Sequence, residues 1–479
     1  MKRLYTISLL VLCLVATGCS DWLNVAPSNQ VNEEDMFSTG DGYRHALNGV
    51  YLDLGTSTLY GQNLSWGFLD IIAQYYSASA FKEERVYYQS LKFNFEHTNV
   101  KSVISSIWSR SYNNIANCNN LINQVSNADP SLFAQRELEK NMIHGEALAL
   151  RAFIHFEILR MFAPAMMKDD QKAYIPYVDV YPTYVPSYET NENVLKKVVA
   201  DLKEAKRMLA QCDIAEEHKA WMSTNSRMLG TNIPRGDISE EDVFFAFRGY
   251  RMNYYAITAI LARVYFWMGE YELAYNEAKE VLDATDDEGK KCFSFVSYTE
   301  LGSNMKDYNG IIMCFFNKTL QENYEPFTMK SSEDKLYLVN FEKGEKEADQ
   351  RLLESMIGSE GTNKYSRKYM IPLGTNGTDM IPGIRLSEMY YIMGEYFART
   401  NKFTEAGAML DEVRYERGIR ETSLKTTITT LDGYHTEMLE DMRKEFVGEG
   451  QLFFQYKRLD KKPVKNAIFV FEKPQNEDV

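Results

Sequence analysis

Apolar side chains recur every three or four positions along most of this chain, the spacing that lays them on one face of an α-helix. Val103 to Val125 places Val103, Ile107, Ile115, Cys118, Leu121, Ile122 and Val125 on such a face. Leu138 to Phe162 predicts a second long helix, stopped just before Pro164. Asn191 to Leu209 aligns Val194, Leu195, Val198, Leu202, Ala205 and Leu209, with Asn191 as the expected N-cap. Between these segments run long irregular stretches: Tyr60 to Asn99, Ala165 to Thr190, Cys212 to Phe245 and Phe293 to Glu347. Loops of that length inside a compact domain usually serve a function.

Two later segments predict antiparallel helix pairs. Met252 to Ala284 turns at Gly269 and carries Leu261, Ala262, Tyr265, Tyr271 and Ala274. Ile384 to Gly418 repeats the scheme with Met393, Gly394, Phe397, Asn401, Phe403 and Ala406. Small residues that let two helices approach, with aromatics filling the gaps, form the tetratricopeptide pattern. The copies lie 132 residues apart, so they form no simple tandem array and other helices must pack between them. The predicted fold is mainly α: tetratricopeptide-like helix pairs in a scaffold at about 40–60, 100–163, 190–212, 250–285 and 384–460, interrupted by long irregular loops.

The first residues follow a different logic. Lys2 and Arg3 precede an apolar run from Leu4 to Ala16, then Thr17, Gly18 and Cys19. A basic start, an apolar core and small residues before a cleavage point make a secretory signal peptide. Its apolar run of 13 residues falls short of the roughly 20 that cross a bilayer. Val15 to Cys19 resembles the bacterial lipobox, with Ala16 where Leu is usual. Residues 1–18 are thus the expected signal and 19–479 a single mature domain, with Cys19 lipidated. Acyl chains contribute about 0.8 kcal/mol per buried methylene, so several of them hold a protein on a membrane.

Removing Lys2 and Arg3 takes the formal charge from −14 to −16, which argues against nucleic acid as a partner. Cys118, Cys212, Cys292 and Cys314 are widely spaced with no CxxC pair, so buried free thiols are the expectation. The six histidines form no HxH or HExxH motif, and His155 sits on an apolar helix as a core histidine. Nucleophile-elbow, phosphate-loop and dinucleotide motifs are missing. No catalytic residue, metal site or cofactor is assigned. A glycosidase needs two carboxyls about 5 to 10 Å apart, and a pair among 67 acidic residues cannot be chosen by sequence.

The ordered motifs resemble the SusD/RagB family of outer-membrane nutrient-binding lipoproteins. They begin at Cys19 to Leu23 and Pro27, and continue through Ala46 to Tyr51, Trp108, Tyr112, Ile115 and Asn119-Asn120. Arg151-Ala152-Phe153, Asp201-Leu202, Ala205, the repeat at Ala259 to Ala278 and Asp349-Gln350-Arg351 follow. The most specific run is C-terminal: Arg385 to Tyr390, Val413-Arg414 through Arg417-Gly418, Arg443 to Phe446 and Tyr456 to Arg458. The closing Phe471 to Glu477 departs from the family ending in detail. The resemblance implies a non-catalytic protein that captures an oligosaccharide or oligopeptide outside the cell. It also implies delivery to a SusC-like TonB-dependent transporter. A surface glycoside hydrolase or peptidase is the competing reading, and a purely structural scaffold a third.

Ligand residues are not carried over from the family and must come from the chain itself. Tyr60 to Phe95 holds ten aromatics in 36 residues, about twice the chain average. Trp66, Tyr75, Tyr76, Tyr87 and Tyr88 are the candidate stacking platform, interleaved with Lys82, Glu83, Glu84 and Arg85. The competing reading has these rings packing the loop onto the helices. Tyr324 and Phe327 form a second candidate, while Ala173 to Tyr188 is expected to wrap the scaffold or meet the transporter. Replacing Cys19 with Ser is expected to abolish labelling by a fatty-acid probe; undiminished labelling refutes the anchor.

Overall fold

A computed structural model describes residues 33–183, 187–230, 243–328, 333–341, 349–370 and 379–474. Cys19 and the signal segment lie outside the described residues. Ten helices of eight residues or more dominate the described chain: α1 Gly40–Leu54, α2 Thr98–Asn127, α3 Arg136–Phe162, α4 Asn191–Asp213, α5 Tyr254–Met268, α6 Tyr271–Asp283, α7 Leu386–Arg399, α8 Phe403–Glu416, α9 Leu431–Glu445 and α10 Gln451–Arg458. The mainly helical reading holds.

Helix α3 packs against α2 and α4; α5 pairs with α6 and α7 with α8 as the repeat spacing predicts, and α6 bridges to α7. Gly269, at φ +84, closes α5 in the left-handed conformation that lets the chain reverse into α6. The α4 cap is Thr190, whose hydroxyl accepts from Asn193 N, whereas Asn191, the expected cap, is the first helical residue. The second repeat also starts later than its pattern suggests. Ile384 and Arg385 end strand β2 (Met380–Arg385), which pairs antiparallel with strand β1 (Ile311–Phe316). The stretches expected to be irregular are therefore structured in part, by this ladder and by short helices at Phe68–Ile72 and Val86–Leu91.

One hydrophobic cluster runs from Tyr43 to Phe471, and charged pairs are buried inside it. Arg151 grips Asp201 with two bonds of 2.7 and 2.8 Å, joining α3 to α4. Arg263 grips Glu388 at 2.7 and 2.6 Å, joining α5 to α7. Glu395 on α7 accepts from Arg458 on α10 at 2.9 and 2.6 Å. Glu445, the last residue of α9, accepts from Arg417 at 2.9 and 2.6 Å, from Arg351 at 3.1 Å and from Arg385. Arg151, Asp201, Arg351, Arg385, Glu388, Arg417, Glu445 and Arg458, all in the sequence motifs, are among these partners.

The predicted cysteine and histidine states are observed. Cys118, Cys212, Cys292 and Cys314 are free and buried. Burial pushes the thiols of Cys118 and Cys292 up to about 12. His155 is enclosed between the Arg151 carbonyl and the Val178 N–H, and burial pushes its pKa down to about 3.

Burial alone would raise the Glu445 carboxyl, but the guanidiniums of Arg385, Arg417 and Arg351 override it and hold it well below the carboxylate range. Its contribution is therefore complete above the unfolded pKa of about 4.3 and is lost as pH falls further. Glu445→Gln should cost about 3–5 kcal/mol near pH 7, because three arginines then lack their shared anion. Urea denaturation should show that deficit shrinking below about pH 4.3.

Candidate functional site

The two aromatic groups nominated from sequence meet in space, but inside the protein. Trp66 packs on Tyr324 at 5.2 Å and on Phe327 at 5.4 Å, and Tyr87 meets Phe327 at 5.6 Å. Trp66, Tyr75, Tyr76, Tyr87 and Tyr324 are all buried. Their polar tips are largely used internally: Trp66 Nε1 donates to the Gly61 carbonyl, Tyr76 to the Trp66 carbonyl and Tyr324 to the Ser366 carbonyl. Only Tyr88 and Phe327 are half-buried. The physical reason is plain: an aromatic-rich loop gains most by burying its rings, so aromatic density here marks core and not a solvent-facing platform. What the loop shows outside is charge, with Lys82 and Arg85 both bonded to Glu333.

A more suitable surface lies elsewhere. A groove of about 760 Å³ opens between α1 and the segment following residue 242. Its first wall is a stripe on α1: Asp41, His45, Asn48 and Leu52, spaced one or two turns apart and all exposed. Its second wall is apolar and aromatic. Phe247 and Tyr250 meet edge-on at 6.2 Å, and Tyr250 and Phe316 at 6.5 Å. Val243, Phe247, Phe316 and Leu52 are 70%, 41%, 39% and 57% exposed, so four of the molecule's exposed large hydrophobics gather around one concavity. Such clustering marks a binding surface, where singly scattered ones do not.

The groove is rigidly founded. Phe244 lies between two guanidiniums, with Arg44 4.5 Å and Arg251 4.0 Å from its ring centre. Arg251 and Tyr51 both donate to Glu146 on α3, at 2.9 and 2.6 Å, and Arg248 bridges Glu146 to Asp213 on α4. Phe316, the last residue of β1, is held beside α1 by a close backbone approach. A Cβ on Gly55 would stand 2.0 Å from the Phe316 carbonyl oxygen, so only glycine fits. Asn317 then donates to the Gly55 carbonyl and, through its backbone, to the carbonyl of Asp379 on the rim. Burial raises the Tyr250 phenol above its ordinary value, so it stays protonated and able to donate.

Two family models match the chain: SusD-like_3, described as starch-binding associating with outer membrane, over residues 21–226, and SusD_RagB, the SusD family, over residues 363–476. The chain belongs to the SusD/RagB family. A SusD-like protein of Formosa agariphila is 26% identical over 250 residues, 50% of this chain and 45% of that relative, so the match spans under half of the relative's length. A SusD superfamily crystal structure from Bacteroides thetaiotaomicron superposes with a TM-score of 0.67 at 20% identity, covering 92% of this chain and 93% of that one. A SusD-like carbohydrate binding protein from Bacteroides vulgatus gives 0.63 at 16% identity, covering 88% and 83%. These likenesses establish a shared SusD fold.

Within this SusD/RagB chain, the groove was missed by sequence because its walls come from three separate stretches. One signal was available: Leu52 stands on the otherwise polar face of α1. The buried rings make their own forecast. Trp66→Ala should lower stability by about 3–5 kcal/mol, as loss of a large core ring does. Urea denaturation alongside ligand titration checks this; lost affinity at unchanged stability would return Trp66 to the surface.

Proposed function

We propose that this SusD/RagB protein is a cell-surface lipoprotein, tethered to the outer membrane through Cys19, that captures an oligosaccharide in the groove beside α1. It then delivers the ligand to a SusC-like TonB-dependent transporter. The observation that carries the reading is the contrast between the groove's two walls. A sugar ring has an apolar C–H face and a rim of hydroxyls. Phe247, Tyr250 and Phe316 offer flat surfaces to the first. Asp41, His45 and Asn48 offer acceptors and donors to the second. A volume near 760 Å³ lies within the range of small-molecule sites, and the rings are half-exposed without a ligand. The family match, to proteins described as starch-binding and associated with the outer membrane, supports capture at that membrane.

The test is calorimetric titration of the mature chain with maltohexaose, cellohexaose, xylohexaose and mannohexaose, and with a pool of tryptic peptides. At least one oligosaccharide should bind and be recovered intact. Tyr250→Ala and Phe316→Ala should each weaken that binding by about 0.5–1.5 kcal/mol beyond the lost contact area, with the helical circular dichroism unchanged. Binding of peptides alone would make the ligand an oligopeptide. Turnover abolished by an Asp or Glu substitution would make the protein a hydrolase.

A further inference from the structure

Phe247 has a backbone conformation that its own packing does not explain. Its φ and ψ are 54° and 37°, the left-handed region that an L-residue with a bulky side chain rarely occupies. Such strain persists only where the surroundings impose it, and it gathers at functional positions. Phe93 makes a useful contrast: at φ 57 it is equally strained, but it is only 4% exposed and its ring packs on Phe95 within the core. Burial accounts for Phe93. Phe247 leaves 41% of its surface in water at the lip of the groove.

Three features hold the ring there. The turn that follows is closed by the Tyr250 N–H donating to the Phe247 carbonyl at 2.9 Å. Tyr250 meets the ring in a T-shaped contact at 6.2 Å. At the tip of the ring lies Gly230, where a Cβ would stand 2.4 Å from Cζ of Phe247, so glycine at 230 is what lets the ring sit in place. A strained aromatic that is seated, braced and left half-exposed is arranged to present its face.

Resting on the capture reading above, we infer that Phe247 is the specificity-determining anchor of the groove, on which a sugar ring of the ligand stacks by its C–H face. The left-handed backbone at 247 is the conformational cost of aiming that ring. Because glycine adopts this conformation freely, stability and binding separate at this position.

The test compares wild type with Phe247→Ala, Phe247→Gly and Gly230→Ala, using thermal melting and titration with the hexasaccharides named above. Both Phe247 variants should bind the responding oligosaccharide about tenfold more weakly. Phe247→Gly should melt above Phe247→Ala, the reverse of their order at an ordinary backbone position. Gly230→Ala should weaken binding while leaving Phe247 present. If wild type binds an oligosaccharide and Phe247→Ala binds it equally well, this inference falls and the capture reading stands. Phe247→Gly melting below Phe247→Ala also overturns it, whatever the ligand. If only the tripeptide Gly-Trp-Gly responds to Phe247 substitution, the stacked partner is an aromatic side chain and the sugar assignment is overturned. If wild type retains no oligosaccharide, the capture reading fails and the anchor with it.

Discussion

The carboxylate of Glu445 is the point on which the C-terminal half of this protein closes. It ends α9, while its three arginines come from the end of β2, from the residue just past α8 and from the turn at Gln350–Leu352. Four chain segments that are distant in sequence therefore converge on two oxygen atoms. The arginines are anchored in turn, Arg351 by Asp349 and Asp441 and Arg417 by Asp307. A hydrophobic contact tolerates sliding by an ångström, whereas a bidentate guanidinium–carboxylate pair fixes both distance and angle. Helix pairs joined by long connections need such registration, because their apolar faces alone would accept several packings.

The same device recurs where the groove is founded. Glu146 collects Tyr51 from α1 with Arg248 and Arg251 from the segment before α5. Both walls of the groove are therefore referred to one buried carboxylate on α3. Their separation is set by the core, and the aromatic wall does not depend on a ligand for its shape. A preformed cleft loses less freedom on binding than one that must be assembled.

The scaffold was legible in the sequence because helical periodicity reports burial directly. Predicted and observed helices agree closely at α2, α3 and α4, and both repeat pairs turn where expected. The ladder of β1 and β2 was hidden, since Ile311 to Phe316 is a short apolar run that periodicity cannot distinguish from helix. The buried ion pairs were visible as motifs without their geometry: Arg151 and Asp201 stood in the pattern, but their pairing needs the fold. The groove was illegible for a sharper reason. Aromatic density led to Trp66, Tyr75 and Tyr76, and density measures the gain from burial. The exposed rings Phe247 and Phe316 are sparse and far apart in sequence, and only the fold, through Glu146 and the approach of Gly55 to Phe316, brings them opposite Asp41, His45 and Asn48.

Pairing most of its interior charges has an outward consequence for this molecule. Carboxylates such as Glu146, Glu388, Glu395 and Glu445 are matched by arginines beside them, so they cancel at close range. The formal charge of −14 then rests on the side chains outside these pairs. Around such a surface, the repulsion of other anions reaches about 8 Å at physiological ionic strength. Neutral molecules do not feel that repulsion, whereas anions do until salt screens it. The electrical double layer around the protein thus sorts what approaches by charge, before any side chain is touched.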